Sequence, residues 1–524
     1  MRLMDSQMMT RILSFLLASL VVLVTGCASL PPPQDRVTSV ALTDTASTRL
    51  GQGVAPHVAA HPGLSGIHKF PEPHDAFAAR VLLAAAAEKT LDAQYFIWNG
   101  DQVGYLLFEA LWKAAERGVR VRLLLDDANT SGLDPTLAAL AAHPNIQLRL
   151  YNPFTTRGSR GLGYMTDFTR LNRRMHNKSF TADNQASVVG GRNIANEYFG
   201  AGSGIGFADI DVLAIGPVVH EVSKEFDLYW NSASAYPAVA FVGVAGADGA
   251  ANLQAKFAET HADPVAVDYI KAVKEAPLIT DLVNRQLAVE WTTAQVMSDD
   301  PAKTLDTADR TDVLLFPELM KKLGRPEKSF DIVSPYFVPG DDGTAGLTEM
   351  ARRGVKVRVL TNSLASSDES IVHAGYMKRR RDLLLAGVLL YELKATATNE
   401  SDLKVKGRFG SGKVAGLHAK TYAVDGARIF VGSFNFDQRS ARLNTEMGIV
   451  IDSPPFAGDL AKLFDTGLQD LAYEVHLTPQ GDKLYWIERT ASGEEKRYED
   501  DPETDAFKRW RVGFMSHLPI DWLL

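Results

Sequence analysis

The chain has 524 residues, more than one hydrophobic core usually serves, so two domains are expected. Hydrophobic residues make up 46% and charged residues 23%, a globular balance, and the net charge of −8 argues against a nucleic-acid partner. The single cysteine, Cys27, excludes an intrachain disulfide and a cysteine-held zinc.

Arg2 and Arg11 precede an apolar run over residues 12–24, followed by Thr25, Gly26 and Cys27. A basic start, a short apolar run and a small-residue exit make an export signal, and the run is short for a membrane span. The ending resembles a lipobox, which marks Cys27 for a diacylglycerol anchor and the chain for the periplasmic side of a bacterial membrane. Residues 1–26 are read as signal. Residues 27–62, rich in Pro, Ser, Thr, Ala and Gly, are read as a flexible tether. His57, His61, His68 and His74 lie in or near it, among prolines that interrupt any regular ligand scaffold, and are read as loop residues.

Globular pattern follows. "DAFAARVLLAAAAEKT" reads as a helix, "LDAQYFIW" as a buried strand, "VGYLLFEALWKAAERG" as a helix capped at Gly118, and "VRVRLLLDD" as a strand. This is a β-α-β unit with parallel strands. The second half repeats it in "SFDIVSPYFVP", "AGLTEMARRG" and "VKVRVLTN". Gly354 follows Gly118 by 236 residues, and Tyr336-Phe337 follows Tyr95-Phe96 by 241. A duplicated α/β domain is therefore expected, over 63–245 and 286–524, with a polar helical connection over 246–285. The second copy opens at "LAVEWTTAQV". Its tail alternates like a β-meander, with turns at Gln480-Gly481 and Ser492-Gly493.

The densest repeat is polar. His176, Lys178, Asp183, Gly190-Gly191 and Asn193 recur as His418, Lys420, Asp425, Gly432-Ser433 and Asn435. On an extended chain, residues two apart share a face, so each copy presents an imidazole beside an ammonium. Asp183-Asn184 and Asp425-Gly426 are turn signals. Two such sets facing each other enclose an anion, most naturally a phosphodiester. One histidine attacks phosphorus and the other protonates the leaving oxygen, while lysines and asparagines stabilise the equatorial oxygens. Fixed cations take the place of a metal, and no cofactor is expected. Each imidazole also needs a carboxylate on Nδ1. Candidates follow each motif by about thirty residues: Asp209 and Asp211 after His176, and Glu446 after His418.

At these residues the sequence resembles the phospholipase D superfamily, whose signature is this duplicated His-Lys-Asp motif. "LGYMTDFTRLNRRMHNKSF", "GGRNIANEYFG", "FADIDVLAIGPVV" and "SDDPAK" look like the bacterial type C cardiolipin synthases. The resemblance implies two α-β-α sandwich domains related by a pseudo-twofold, with one active site between them. It implies phosphatidyl transfer between phosphatidylglycerol and a second phospholipid such as phosphatidylethanolamine. His176 is then the nucleophile and His418 the general acid and base. Lys178, Asn193, Lys420, Ser433 and Asn435 hold the phosphate, and Asp209 and Glu446 back the histidines. Asp183 and Asp425 belong to the signature and so are counted with the catalytic residues, yet their turn positions leave a purely structural role open. Transfer and hydrolysis share the intermediate, so the motif leaves a phospholipase or phosphodiesterase open. A nuclease fits the acidic balance poorly, and a non-enzymatic scaffold fits two intact motifs poorly. Arg170, Arg173 and Arg174 before the first motif, and Lys404, Lys406, Arg408 and Lys413 before the second, suggest a basic rim for headgroups.

Overall fold

The computed structural model describes residues 30–31, 36–201, 206–284, 286–305, 312–395, 414–490, 492–518 and 523–524. The export signal, Cys27 and the basic residues 404–413 lie outside them.

Two large sheets organise the chain. The first is built from β1 (Ser65–Phe70), β2 (Thr90–Ile97), β3 (Arg120–Asn129), β4 (Ile146–Tyr151), β5 (Ser179–Ala182) and β6 (Ala186–Gly190). A short strand, β7 (Gly206–Ala208), stands apart; β8 (Asp211–Ile215), β9 (Ala235–Pro237) and β10 (Glu290–Thr292) complete the sheet in the order β10-β1-β8-β6-β5-β2-β3-β4-β9. The second half supplies β11 (Ala294–Ser298), β12 (Ser329–Val333), β13 (Phe337–Val338), β14 (Lys356–Asn362), β15 (Leu389–Leu393) and β16 (Val414–Leu417). It continues with β17 (Thr421–Val424), β18 (Arg428–Gly432), β19 (Phe436–Asp437), β20 (Met447–Ile451), β21 (Ala472–Leu477), β22 (Leu484–Arg489) and β23 (Glu495–Tyr498). Its sheet runs β11-β20-β18-β17-β12-β14-β15-β21-β22-β23, the order of the first sheet from β1 onward with the β-meander added at the far edge.

The β-α-β units form as the pattern requires. β2 and β3 are parallel, as are β12 and β14. The crossover helices are Gln102–Glu116 and Gly340–Arg352. Both are followed by a glycine with φ near 90°, Gly118 and Gly354, a conformation costly for any residue with a Cβ. One core packs helices Pro73–Ala86 and Gln102–Glu116 on the first sheet, and a second packs Leu315–Leu323 and Gly340–Arg352 on the second sheet. A third core is shared. Val218, Val219 and Val222 of one half meet Ile429, Val431, Phe456 and Leu460 of the other, so the two halves are layered face to face. An arginine with two aspartates also recurs in both halves, the Arg–Asp pair on the sheet being buried each time. Arg122 holds Asp92 at 2.7 Å and Asp227 at 2.8 Å, and Arg358 holds Asp331 at 2.6 Å and also Asp465.

Three expectations are corrected. The tether does not extend to residue 62: Arg49–Ala60 is a helix capped by Thr48, and upstream of it the backbone N–H groups of Ser39 and Ala41 donate to Asn231 and Asp227. The connecting helices Gly249–Ala262, Pro264–Lys274 and Pro277–Val283 are not a separate unit, because Leu253, Phe257, Tyr269 and Leu278 join the first core. The run "LAVEWTTAQV" splits, giving β10 to the first sheet and β11 to the second. Among the described residues no helix is long and apolar enough to cross a membrane.

Candidate active site

Each His-x-Lys segment lies immediately before a central strand, β5 in one half and β17 in the other. What brings the segments together is main-chain pairing between the halves. The His176 N–H donates to Thr445 O at 2.8 Å, and the His418 N–H donates to Ala208 O at 2.8 Å. β16 pairs in parallel with β7, and Met175 bridges to Thr445, which is the same contact made twice about a pseudo-twofold.

This pairing fixes the carboxylates, because Ala208 precedes Asp209 and Thr445 precedes Glu446. His176 Nδ1 lies 2.8 Å from Glu446 Oε2, and His418 Nδ1 lies 2.6 Å from Asp209 Oδ2. The carboxylate that follows each motif therefore serves the histidine of the other half. Asp211, the other candidate, is a core residue paired with Arg80 at 2.9 Å and Arg192 at 3.4 Å.

Both imidazoles are only 7% exposed. His176 meets the edge of Phe96 with ring centroids 4.9 Å apart, and His418 meets Tyr198 at 4.9 Å. With Nδ1 committed to a carboxylate, Nε2 is the ring nitrogen left for a ligand, and at His418 the Lys420 Nζ stands 3.1 Å from it. Lys178 Nζ donates to His176 O, and Lys420 Nζ to His418 O. Each ammonium keeps further N–H groups for an anion. The Asn193 Oδ1 accepts from Ile97 N at 3.2 Å, while its Nδ2 is buried without a protein partner. Asn435 Oδ1 is likewise buried and unpartnered, and a half-turn of the amide presents its NH2 instead. Unsatisfied buried amides are costly, so these two are set for a polar ligand.

The electrostatics differ between the two pairs. Burial, then the charges of Lys178 and Lys420, holds His176 well below its ordinary value. Burial and Lys420 draw His418 down to about 3 against the pull of Asp209. Burial also lowers both ammoniums, Lys420 to about 8. Burial works to raise Asp209, but His418, Lys420 and Arg192 outweigh it and leave the carboxylate at about 2. Burial pushes Glu446 up to about 7, with Lys178 and two serine hydroxyls opposing.

Those serines correct one assignment and add another. The Ser433 hydroxyl donates to Glu446 Oε2 at 2.5 Å and so supports the carboxylate rather than a phosphate. Ser440, unassigned from sequence, donates to Oε1 at 2.8 Å. Asp299 accepts from Glu446 N at 2.8 Å and pairs with Lys303 at 3.0 Å, which gives a role to the "SDDPAK" segment. The motif position equivalent to Ser433 is Gly191. A Cβ there would stand 2.1 Å from Asp209 Oδ1, so glycine is required for the carboxylate to reach His418.

Asp183 and Asp425 are also corrected. Their carboxylates accept backbone N–H groups at the far ends of β5 and β17: Glu88, Lys89 and Thr90 for Asp183, and Glu327, Lys328 and Ser329 for Asp425. Both residues have φ near 50°, which aspartate tolerates better than most. They pin the turn of each motif to the neighbouring strand. The first basic rim turns inward as well. Arg174 pairs with Asp126 at 2.6 Å, Arg173 donates to Lys303 O, and Arg170 pairs with Asp167 at 2.6 Å. Three of the early histidines are on regular structure, not in loops: His57 on Arg49–Ala60, His68 on β1 and His74 on Pro73–Ala86, while His61 follows the first of these helices and stacks on Trp291 at 4.3 Å.

The family model described as "Cardiolipin synthase, PLD-like domain" matches residues 82–230 and 319–467, one match in each half. Cardiolipin synthase C of Escherichia coli K12 is 47% identical over 91% of this chain and 100% of its own length. An uncharacterised protein of Helicobacter pylori J99 is 30% identical over 91% and 93%, and cardiolipin synthase A of Pseudomonas syringae is 27% identical over 74% and 65%. Among solved structures, phosphatidylserine synthase of Haemophilus influenzae aligns over 91% of this chain and 99% of its own, with a TM-score of 0.53 at 12% identity, a likeness of fold. With a site divided between two copies of one motif, and a family model matching both copies, the chain belongs to the cardiolipin synthase family of the phospholipase D superfamily.

Proposed function

We propose that the protein is a phosphatidyltransferase that makes cardiolipin from phosphatidylglycerol and a second phospholipid, phosphatidylethanolamine or another phosphatidylglycerol. The observation that carries the chemistry is the crossed pair of histidine–carboxylate contacts, 2.8 and 2.6 Å, around two buried ammoniums. Transfer rather than hydrolysis rests on the 47% identity to a cardiolipin synthase over its whole length.

His176 Nε2 attacks the phosphorus of the donor lipid. The bond from phosphorus to the headgroup oxygen breaks, and His418 Nε2 gives that oxygen its proton. The phosphatidyl group is then held as a phosphoramidate on His176. The terminal hydroxyl of phosphatidylglycerol enters, His418 takes its proton, the new P–O bond forms and the P–N bond breaks. The electrostatic difference between the pairs supports this division. An ionised Asp209 is the better support for an imidazolium, and so for the acid. A phosphodiester in the site adds the negative charge that offsets the lysines and favours protonation of His418. Lys178, Lys420, Asn193 and Asn435 take the equatorial oxygens. At a membrane surface the acceptor hydroxyl is locally concentrated, so it competes with water.

Mass spectrometry of the products of purified protein with phosphatidylglycerol alone, then with phosphatidylethanolamine added, tests the reading. Cardiolipin is expected, with glycerol or ethanolamine released in step; phosphatidic acid with little cardiolipin under either condition makes it a hydrolase. We further infer a lipid anchor at Cys27 and a periplasm-facing globular part, on the basic, apolar and "VTGC" segments. Palmitate labelling of the wild type but not of Cys27→Ala supports the anchor; equal labelling of both removes it.

A further inference from the structure

Past the β-meander lies a helix, Ala506–Met515, that the tail's strand-like pattern did not suggest. Its inner side is held by Val512, buried in a small cluster with Leu364 and Ala374. Its outer side carries Phe507, Trp510 and Phe514, which are 67%, 66% and 62% exposed. Their rings stack in one row, with centroids 6.0 and 6.2 Å apart, and Leu518, past the helix end, is also exposed. Single exposed apolar residues are ordinary on a protein surface, but a contiguous aromatic ridge is not.

Two further features select what covers the ridge. The first is charge. Residues 506–518 contain Lys508, Arg509 and Arg511 and no acidic residue, and Asp505 at the helix start is occupied capping Lys508 N. Arg509 leans toward Asp500, while Arg511 stays exposed beside Trp510. The second is place. Leu364, beneath the helix, follows Asn362, whose side chain brackets Leu417 N and O one residue before His418. On the other half, Leu162, Met165 and Phe168 are exposed in the short helices Arg160–Thr166 and Phe168–Leu171, which run into His176. Between them, Arg439 donates to Asn172 Oδ1 at 2.9 Å, just past these short helices, and to Leu523 O at 3.2 Å.

We propose that the Phe507–Trp510–Phe514 ridge, seconded by Leu162, Met165 and Phe168, docks the active-site entrance onto a bilayer surface rich in anionic headgroups. Aromatic rings enter the boundary between headgroups and acyl chains, and Arg511, exposed next to Trp510, lies over the phosphates. Docking brings both histidines to the plane where phosphodiesters lie, so a lipid need not leave the bilayer far to react. The inference rests on the phospholipid reading of the site and adds how that site meets its substrate.

The test compares the full-length wild type with Trp510→Phe, which keeps an apolar ring at an exposed position. Their difference in fluorescence is the Trp510 signal. Vesicles of phosphatidylglycerol brominated on the acyl chains should quench that signal by half or more, and phosphatidylcholine vesicles should quench it less. No quenching, equal quenching by both lipids, or self-crosslinking of Trp510→Cys in detergent would overturn the proposal, the last by making the ridge a contact between copies. A second arm uses Phe507→Ser, Trp510→Ser and Phe514→Ser together. Turnover on vesicles should fall about tenfold, while turnover on monomeric short-chain phosphatidylglycerol stays unchanged. Quenching needs no turnover, so failure of the transferase reading would show in the products and leave this result standing.

Discussion

His418 and Asp209, 209 residues apart in the chain, place Nδ1 and Oδ2 2.6 Å from each other across the boundary between the two halves. The mirrored contact joins His176 to Glu446 at 2.8 Å. Neither half therefore holds both members of a histidine–carboxylate pair, and the two copies of the motif form one site rather than two.

The crossing is measurable by double-mutant cycles. Asp209→Asn and Glu446→Gln should each lower kcat by about 10²–10⁴-fold, the range of positioned acid–base groups. Asp209→Asn should add little to His418→Ala, and Glu446→Gln little to His176→Ala. Strong coupling of Asp209 to His176 instead would contradict the crossed arrangement.

Glu446 should give a pH signature. Its carboxyl is pushed up to about 7 in the folded protein from an ordinary 4.5. Between those values the folded state holds a proton that the unfolded chain releases. Its contribution to stability is fully present below pH 4.5 and is lost as pH rises through about 7. Glu446→Gln removes that loss, so its Tm relative to wild type should climb over this window and level off above it. Thermal scans across pH check this, and a constant difference would rule it out.

Asp183→Ala should leave three backbone N–H groups without an acceptor. The expected cost is about 1–3 kcal/mol of stability, with kcat per folded molecule retained. Denaturant unfolding and active-site titration separate the two effects. A catalytic loss in fully folded protein would restore Asp183 to the catalytic set.

Gly191→Ala should abolish turnover while the fold survives, because the added Cβ would occupy the space of Asp209 Oδ1. Ser433→Ala, at the equivalent position, should cost far less: it removes a hydroxyl from Glu446, which keeps Ser440. Steady-state kinetics of the two variants side by side give the answer, and equal losses would contradict this asymmetry.

The duplication, the parallel β-α-β units and the residues of both motifs were legible in the sequence, because alternation, helical spacing and the His-x-Lys repeat are local signals. The partner of each histidine was not. Spacing alone points Asp209 toward its own motif, whereas the pairing is made by backbone contacts of Ala208 and Thr445 with the opposite half. The helix Arg49–Ala60 was hidden by Pro56 and a shortage of apolar residues, and it forms through Thr48 capping and packing. Arg173 and Arg174 looked like a rim because sequence shows charge and not direction; Asp126 at the end of β3 draws Arg174 inward. Asp183 and Asp425 carried the family signature, yet their φ values show that turn chemistry explains them.

The central claim, transfer in two steps through a histidine, is tested most directly by the configuration at phosphorus. A phosphatidylglycerol phosphorothioate of one handedness is supplied as donor, and the configuration of the cardiolipin phosphorothioate is read. Two successive in-line displacements, by His176 and then by the acceptor hydroxyl, give net retention. Net inversion would mean a single direct displacement and would contradict the covalent intermediate.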